Sequence, residues 1–244
     1  YGDWIKTSTQ KEPETIEEAL ASDKRNEWVA AMDREMNSIK ENDVWTLVKP
    51  PKDSKVIETK WIYKIKRDRE GKPVVYKARL VARGFTQVEG EDYDETYSPV
   101  IRFDTVRFLL AIAVEKKMEV HQLDMVTAFL NGHIQEEVYM SQPRGYVDKE
   151  KPNYVCKLFK SLYGLKQAPL CWNLKLETFL REYGFVNSAQ DSCLYIYREQ
   201  DGRPSMYVVT YVDDLLIAAD DMLKMTAFKQ TIADRFKSKD LGKI

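Results

Sequence analysis

The pattern of apolar and polar residues in the first third of the chain predicts a helical segment followed by a β-hairpin. Residues 15–42 open with "TIEE", which has the form of a capping box, and Ser22 offers a second helix start. Their apolar stripe at helical spacing consists of Trp28, Met32, Met36 and Ile39. From residue 55 to 85, two alternating runs flank the turn signal "DREGKP", which predicts two antiparallel strands.

The rest of the chain mixes helical and strand patterns without regular alternation. Pro169 is suited to the first turn of a helix and Gly184 to its end. The elements predicted after the hairpin are a helix over 105–118, strands over 119–126 and 154–162, a helix over 169–183, strands over 193–199 and within 206–219, and a last helix from Asp220 or Asp221 to Phe236. This irregular order favours the α+β class over a doubly wound sheet.

Composition excludes several broad classes of protein. Of the 244 residues, 43% are hydrophobic and 32% charged, as in soluble globular proteins of one or two domains. No apolar run is long enough to cross a bilayer, so we expect no membrane partner. Because the chain begins at Tyr1, we expect it to be a piece of a longer protein. Three separated cysteines and two histidines disfavour structural zinc and fit a reducing compartment.

Charge is concentrated in the predicted hairpin. Residues 52–83 contain eleven Lys or Arg against four Asp or Glu, although the net charge of the chain is −1. Such a basic segment on an otherwise acidic protein is typical of polyanion binding. Taken alone, a solvated hairpin whose lysines serve solubility is the simpler interpretation.

Two adjacent aspartates, Asp213 and Asp214, interrupt the apolar stretch "MYVVTYVDDLLIAA". Burying unpaired carboxylates is costly, so we expect a divalent cation to compensate. Neighbouring side chains on a straight strand point to opposite faces, whereas a tight turn at "VDD" would bring both to a hairpin tip. A third carboxylate, Asp124, follows the predicted strand "VHQLD".

Three carboxylates at neighbouring strand ends can hold two magnesium ions about 3.5–4 Å apart, an arrangement used for in-line phosphoryl transfer. For Asp124 alone, a helix cap or turn residue is the simpler interpretation. The adjacent pair is harder to explain structurally, because its apolar flanks contain no basic partner.

Four blocks of the chain occur in the order of a known family. They are "YKARLVARGFTQVEGEDYDETYSPV", "LDMVTAFLNGHIQEEVYMSQPRGY", "KSLYGLKQAP" and "YVDD". From about Glu18 onward, the chain resembles the reverse transcriptase domain of copia-type LTR retrotransposons.

This resemblance implies the fold of a right-hand polymerase, with fingers, a palm whose antiparallel sheet packs on helices, and no thumb. We expect an N-terminal lead-in and helix over 1–48 and fingers with the basic hairpin over 49–118. The palm is expected over 119–244, with a fingers insertion around 140–170, ending before the primer grip.

The resemblance also implies the chemistry, an attack of a primer 3′-hydroxyl on the α-phosphate of a dNTP. Asp124, Asp213 and Asp214 match the catalytic carboxylates, which would hold two Mg²⁺ ions, with Mn²⁺ as a substitute. The backbone carbonyl of Met125 would join the metal shell.

Further positions match the nucleotide site of the family. Phe129 matches an aromatic residue beneath the sugar that excludes a 2′-hydroxyl, although its apolar neighbours alone favour a core phenylalanine. Gly164 would allow close backbone approach and Tyr163 would contact the nucleotide or template; alternatively, this block is only the loop before Pro169. Leu170 stands where the family usually has arginine, which puts one template or backbone contact in doubt.

The cations of the basic hairpin are candidates to bind the triphosphate or the template phosphates. These candidates are Lys64, Lys66, Lys77 and Arg79. Lys77 and Arg79 share a strand face and rank first. The duplex would be gripped through its backbone, as copying independent of sequence requires.

The expected partners are RNA and DNA template–primers, dNTPs, and the protease, integrase and ribonuclease H of the same polyprotein. The expected location is the cytoplasm, in a virus-like particle, with a later nuclear stage. One alternative is an inactive element-derived fragment that only binds nucleic acid. Another is an unrelated two-metal nuclease, which would need neither Phe129 nor the hairpin.

Overall fold

The α+β class expected from the sequence is the class observed. The computed structural model describes residues 11–52 and 54–244. Its helices are α1 (Ile16–Ala21), α2 (Arg25–Glu41), α3 (Phe103–Glu115), α4 (Ala168–Tyr183) and α5 (Met222–Arg235). Its strands are β1 (Trp45–Val48), β2 (Val56–Ile57), β3 (Thr59–Arg67), β4 (Pro73–Ala82), β5 (Glu119–Met125), β6 (Tyr139–Met140), β7 (Val155–Leu158), β8 (Phe185–Asn187), β9 (Leu194–Arg198), β10 (Pro204–Tyr211), β11 (Asp214–Ala219) and β12 (Ser238–Lys243).

The N-terminal helical segment divides into two helices where the sequence offers two starts. The hydroxyl of Thr15 accepts a hydrogen bond from the Glu18 amide at 3.2 Å and caps α1. Ser22 ends α1 and accepts a bond from the Lys24 amide, so it lies between the helices. The predicted apolar stripe of α2 faces the core, although Met36 is only half-buried.

The basic hairpin is β3 paired with β4, and α2 packs against it. Its inner face is apolar, and Trp28 of α2 makes edge-on contacts with Tyr63 and Tyr76 at ring-centroid distances of 5.2 and 4.8 Å. The single strand expected from residue 55 onward is interrupted at Glu58. The preceding residues form β2, which pairs in parallel with β6 of a four-stranded sheet, ordered β1-β7-β6-β2.

The second large sheet is six-stranded and antiparallel, ordered β12-β5-β11-β10-β9-β8. Near its centre, β10 and β11 form the aspartate hairpin, which has Asp213 and Asp214 at its tip. Helices α4 and α5 cover one face, where Leu215, Ile217 and Phe228 are buried. Helix α3 covers the other face through Leu109 and Ala113. Helix α3 lies within residues 49–118, which were expected to form the fingers with the basic hairpin, and it packs on this sheet.

Helix α3 begins two residues before its expected start, and a distant carboxylate binds this end of the helix. Asp191 accepts hydrogen bonds from the Arg102 amide and the Thr105 hydroxyl. The observed bounds of α4 and α5 lie within a residue or so of the predicted ones, with Gly184 at φ 113° ending α4 and Asp221 capping α5. Within residues 11–52 and 54–244, no helix is long and apolar enough to cross a membrane.

Candidate active site

The aspartate hairpin turns through a two-residue loop, as expected from "VDD". Tyr211 and Asp214 form the last pair of β10 and β11, which leaves Val212 and Asp213 in the loop. Val212 has φ 53°, and it is the only one of these two residues with positive φ, the pattern of a type II′ turn. Both aspartates are half-buried rather than enclosed. Their position at the hairpin tip therefore reduces the burial cost expected from the apolar flanks.

Asp124 and Asp213 line one cleft of about 470 Å³. Strand β5 ends beside the hairpin, and the Met125 amide donates to the Asp213 carbonyl oxygen at 2.7 Å. A main-chain hydrogen bond thus joins the end of β5 to the loop of the aspartate hairpin. The structure brings two of the three predicted carboxylates to the same cleft.

Asp214 has different surroundings from Asp213. Its carboxylate accepts a hydrogen bond from Gln122 Nε2 at 2.9 Å and lines a separate, mainly apolar cleft of about 320 Å³ beside Phe103 and Tyr211. Asp214 lies directly opposite Asp124 in the pairing of β11 with β5, so these two side chains are on the same face of the sheet, whereas Asp213 is in the loop.

Three of the four predicted hairpin cations, Lys66, Lys77 and Arg79, line the cleft of Asp124 and Asp213. Burial lowers the pKa of Lys77, as do the charges of Arg79 and Lys66, while Glu35 and Asp124 act in the opposite direction.

Lys64 does not line this cleft. It pairs with Lys77 in the strand register, but its side chain is exposed and forms an ion pair with Glu12 at 3.1 Å. The shared strand pairing therefore does not give the two lysines the same surroundings.

Among the residues that helix α2 contributes to the cleft, two are charged and were not singled out in the sequence. Arg34 donates to the Tyr76 carbonyl at 2.9 Å, and buried Glu35 accepts from the Leu80 amide at 3.3 Å, so both bind the outer edge of β4. Burial raises the pKa of Glu35, opposed by the Leu80 hydrogen bond and by the charge of Arg79. The sequence did contain one signal for this part of the cleft, because Glu35 is a carboxylate among the apolar positions of α2.

Tyr163 lies between a cation and an aromatic ring. The guanidinium carbon of Arg79 is 4.8 Å from the centroid of the Tyr163 ring, and Phe129 meets the same ring edge-on at 4.8 Å. Tyr163 lines the cleft, and burial is the main reason that its pKa is raised. Phe129 is half-buried behind Tyr163, packed against two cores, and is not among the residues lining the cleft.

Gly164 is required by the packing of the chain itself. Its φ is 90°, and a Cβ there would lie 2.2 Å from the Ala82 carbonyl oxygen. The adjacent Tyr163 carbonyl accepts from the Ala82 amide at 2.8 Å. The backbone segment that approaches Gly164 in this structure is the end of β4, and the part of Gly164 in the nucleotide site stays a prediction. Leu170 is half-buried in the first turn of α4, outside the cleft.

Trp172 of α4 is another functional candidate that sequence reasoning missed. Its indole Nε1 donates to the Val212 carbonyl oxygen at 2.7 Å. This contact joins residues 40 positions apart, and a buried tryptophan in a helix gives no signal that its N–H reaches a particular turn.

The donor set of the cleft fits a hydrated magnesium–nucleotide complex. Among the described residues, no group of three or more His, Cys, Asp or Glu side chains is arranged to hold a metal ion. Three carboxylates line the cleft, but that of Glu35 accepts from the Leu80 amide of β4, which leaves Asp124 and Asp213 at the strand ends; Met125 also lines the cleft. Magnesium commonly takes one or two carboxylates, keeps several waters and binds substrate phosphates. These oxygen donors therefore suit magnesium only together with a phosphate ligand.

Comparison with known proteins identifies the family. Residues 42–244 match the family model described as reverse transcriptase (RNA-dependent DNA polymerase). The chain is 40% identical over 240 residues to the retrovirus-related Pol polyprotein from transposon TNT 1-94 of Nicotiana tabacum, covering 98% of this chain and 18% of the relative. The corresponding polyproteins from transposons RE2 and RE1 of Arabidopsis thaliana are 42% and 41% identical, covering 96% and 97% of this chain and 16% of each relative. The chain thus spans less than a fifth of the length of these relatives. It belongs to the reverse transcriptase (RNA-dependent DNA polymerase) family, in the branch found in the Pol polyproteins of copia-type retrotransposons.

Proposed function

We propose that this chain catalyses RNA-directed DNA synthesis, adding deoxynucleotides to the 3′-hydroxyl of a primer. The observation that carries this proposal is a single cleft lined both by the carboxylates Asp124 and Asp213 and by the cations Lys77 and Arg79. A magnesium–dNTP complex needs both kinds of group, because its phosphates are anionic and its ions are bound by hard oxygen ligands. Family membership supports the same reaction.

The architecture supports a division into palm and fingers. The palm would be the six-stranded sheet with α3, α4 and α5, since this sheet carries Asp124 and Asp213. The fingers would be the basic hairpin with α2 and the four-stranded sheet. In this assignment, residues 103–115 belong to the palm.

Four side chains of the cleft have defined parts in the proposed reaction. Asp124 and Asp213 would hold the divalent ions, with Met125 offering a backbone carbonyl beside them. Lys77 and Arg79 would bind triphosphate oxygens. The ions would supply charge neutralisation at the phosphates, and Mn²⁺ would serve in place of Mg²⁺.

The chemistry itself is a substitution at phosphorus. The primer 3′-oxygen forms a bond to the α-phosphorus, the bond from that phosphorus to the α–β bridging oxygen breaks, and pyrophosphate leaves; the hydroxyl proton is released. No protein nucleophile is needed, because positioning and electrostatic stabilisation supply most of the catalysis.

Tyr163 and Phe129 would shape the sugar pocket. Tyr163 would touch the nucleotide and Phe129 would support it from behind, which leaves little room for a 2′-hydroxyl. Asp214 would have a supporting electrostatic part, because Gln122 already occupies one of its oxygens.

The polyprotein relatives support a nucleic-acid substrate and a Pol polyprotein context. The protease, integrase and ribonuclease H partners and the cytoplasmic, particle-associated location stay predictions. The two alternatives, a nucleic-acid binder without activity and a two-metal nuclease, differ from a polymerase in what they do with dNTPs.

A primer-extension assay on poly(rA)/oligo(dT) with Mg²⁺ and dTTP separates these functions. The proposal predicts extension that requires dTTP and divalent ion and that disappears in Asp213→Asn. Binding of the template–primer without extension would support the inactive binder. Shortening of the labelled primer without incorporation of dTTP would support the nuclease.

A further inference from the structure

The loop that carries Asp213 has an unfavourable local conformation. Val212 has φ 53°, in the left-handed region, and its side chain is β-branched. Such residues avoid positive φ because Cβ and the branched methyl groups crowd the backbone. Conformations of this kind persist where surrounding contacts fix them, and they cluster at functional sites.

Trp172 provides such a contact from a rigid part of the protein. Only 1% of its surface is exposed, and its ring meets Phe236 edge-on at a centroid distance of 5.3 Å. Its Nε1 donates to the Val212 carbonyl oxygen at 2.7 Å. Because Trp172 belongs to the buried core between α4, α5 and the six-stranded sheet, its indole N–H has little freedom to follow a moving loop.

The peptide groups on both sides of Asp213 are therefore held by hydrogen bonds. Trp172 binds the carbonyl before Asp213, and the Met125 amide binds the carbonyl of Asp213 itself at 2.7 Å. Two fixed peptide planes determine the direction of the Cα–Cβ bond between them. The Cα–Cβ bond of Asp213 is thus oriented by contacts from α4 and from the end of β5.

We propose that Trp172 is a positioning residue for catalysis, whose indole N–H fixes the orientation of Asp213 through the Val212 carbonyl. This role rests on the proposed polymerase function. Loss of the N–H would allow the Val212 peptide to rotate and the loop to relax, which would move Asp213 relative to Asp124. Misplacement of a reacting group by about 1 Å can lower a rate by roughly a hundredfold.

The test compares two tryptophans that make the same kind of bond. Trp61 is also buried, at 4% exposure, and its Nε1 donates to a backbone carbonyl, that of Arg144, at 3.0 Å, away from the aspartates. Trp172→Phe and Trp61→Phe each remove one such bond and some ring volume. Incorporation of 3-benzothienylalanine at position 172 replaces the N–H by sulfur and keeps the ring shape.

The readouts are kcat and KM for dTTP on poly(rA)/oligo(dT), affinity for the template–primer, melting temperature, and hydrogen exchange of peptides spanning 207–219. For both position-172 variants, we expect kcat to fall about a hundredfold while KM and template–primer affinity change less than about threefold. Hydrogen exchange should rise at the hairpin tip in these variants and stay unchanged there in Trp61→Phe.

Each outcome decides one of the two claims. If the 3-benzothienylalanine protein extends primers within about threefold of the parent, the positioning role is wrong, since only the N–H is missing. If the parent chain itself shows no dTTP-dependent extension, the polymerase function fails. Hydrogen exchange then still tests the structural claim: unchanged protection of the hairpin tip without the indole N–H would show that Trp172 does not hold the loop.

Discussion

At the scale of single residues, the cleft combines unfavourable backbone geometry with fixed hydrogen bonds. Thr127 and Val212, both β-branched, have φ 58° and 53° and adjoin the segments that carry the two carboxylates. A non-glycine residue in this region costs about 1–3 kcal/mol. Asn131 donates to the Thr127 carbonyl at 3.1 Å, as Trp172 does to that of Val212. A local hydrogen bond at Thr127 and a tertiary one at Val212 therefore stabilise a backbone geometry that β-branched residues disfavour.

The two adjacent aspartates should differ in their contribution to the reaction. Asp213→Asn should lower the rate of nucleotide addition by several orders of magnitude, because Asp213 lines the cleft with Asp124. Asp214→Asn should lower it less, because Asp214 lines the other cleft and binds Gln122. Single-nucleotide extension measures both rates, and template–primer binding serves as the control, expected to be unchanged. Equal losses in the two variants would contradict the assignment.

Phe129 should influence the choice of sugar through Tyr163. Phe129→Ala removes the ring that meets Tyr163 edge-on and should open space beneath the nucleotide. We expect the ratio of kcat/KM for UTP to that for dTTP to rise by about tenfold or more. Thermal unfolding monitors the loss of packing separately. A lower melting temperature with an unchanged ratio would identify Phe129 as a core residue only.

At the scale of elements, local signals predicted the long helices and the hairpin, and tertiary contacts decided the rest. Strand β12 was missed because "SKDLGK" is polar; it exists because it pairs with β5 at the edge of the sheet. The short strands β2 and β6 likewise depend on pairing between distant segments. The start of α3 is held by Asp191, which lies more than 85 residues further along the chain.

Asp191 should stabilise the fold in a pH-dependent way. Burial alone would raise the pKa of Asp191, but hydrogen bonds from Thr105, Cys193 and Arg102 outweigh burial and hold it below its usual value. A folded-state pKa below that of the unfolded chain gives stability that is complete above the unfolded pKa, about 3.9 for aspartate, and is lost as pH falls through the folded pKa.

Asp191→Asn should therefore reduce the free energy of unfolding by about 1–2 kcal/mol at pH 7, and the difference from the parent should shrink below about pH 4. Urea unfolding at several pH values measures it. Asp104→Asn is the matched control, since this carboxylate lies in the first turn of α3 with a side chain 92% exposed; its effect should stay within about 0.5 kcal/mol. A constant difference down to pH 3 would contradict the assignment to the Asp191 carboxylate.

At the scale of the whole molecule, the end of the hairpin is packed directly on the segment that leads into α4. A Cβ at Gly84 would lie 1.9 Å from the Gly164 carbonyl oxygen, and a Cβ at Gly164 would lie 2.2 Å from the Ala82 carbonyl oxygen. Buried Gln87 and Gln167 join the same two segments by a side-chain hydrogen bond of 2.9 Å. This junction positions Arg79 and Tyr163 beside each other in the cleft. The sequence blocks predicted both segments, but no pattern in either block indicated that they touch.

Gly164→Ala should therefore destabilise the fold more than an ordinary change at a left-handed glycine. Gly71→Ala is the control, because Gly71 has φ 81° but open space around it. The control should lose about 1–2 kcal/mol for the left-handed conformation, and Gly164→Ala about 1–3 kcal/mol more from the close contact. Chemical denaturation measures both. Equal losses would mean that the junction tolerates a side chain.

The central claim is that one cleft, lined by Asp124 and Asp213 and by β4 of the basic hairpin, binds the nucleotide. Lys77 and Lys64 test it most directly, because they are paired in register on one hairpin and only Lys77 lines the cleft. The measurement is the concentration dependence of single-turnover dTTP incorporation for Lys77→Ala and Lys64→Ala. We predict that the apparent Kd for dTTP rises about tenfold or more in Lys77→Ala and changes less than about twofold in Lys64→Ala. Equal effects of the two substitutions, or a larger effect of Lys64→Ala, would contradict the claim.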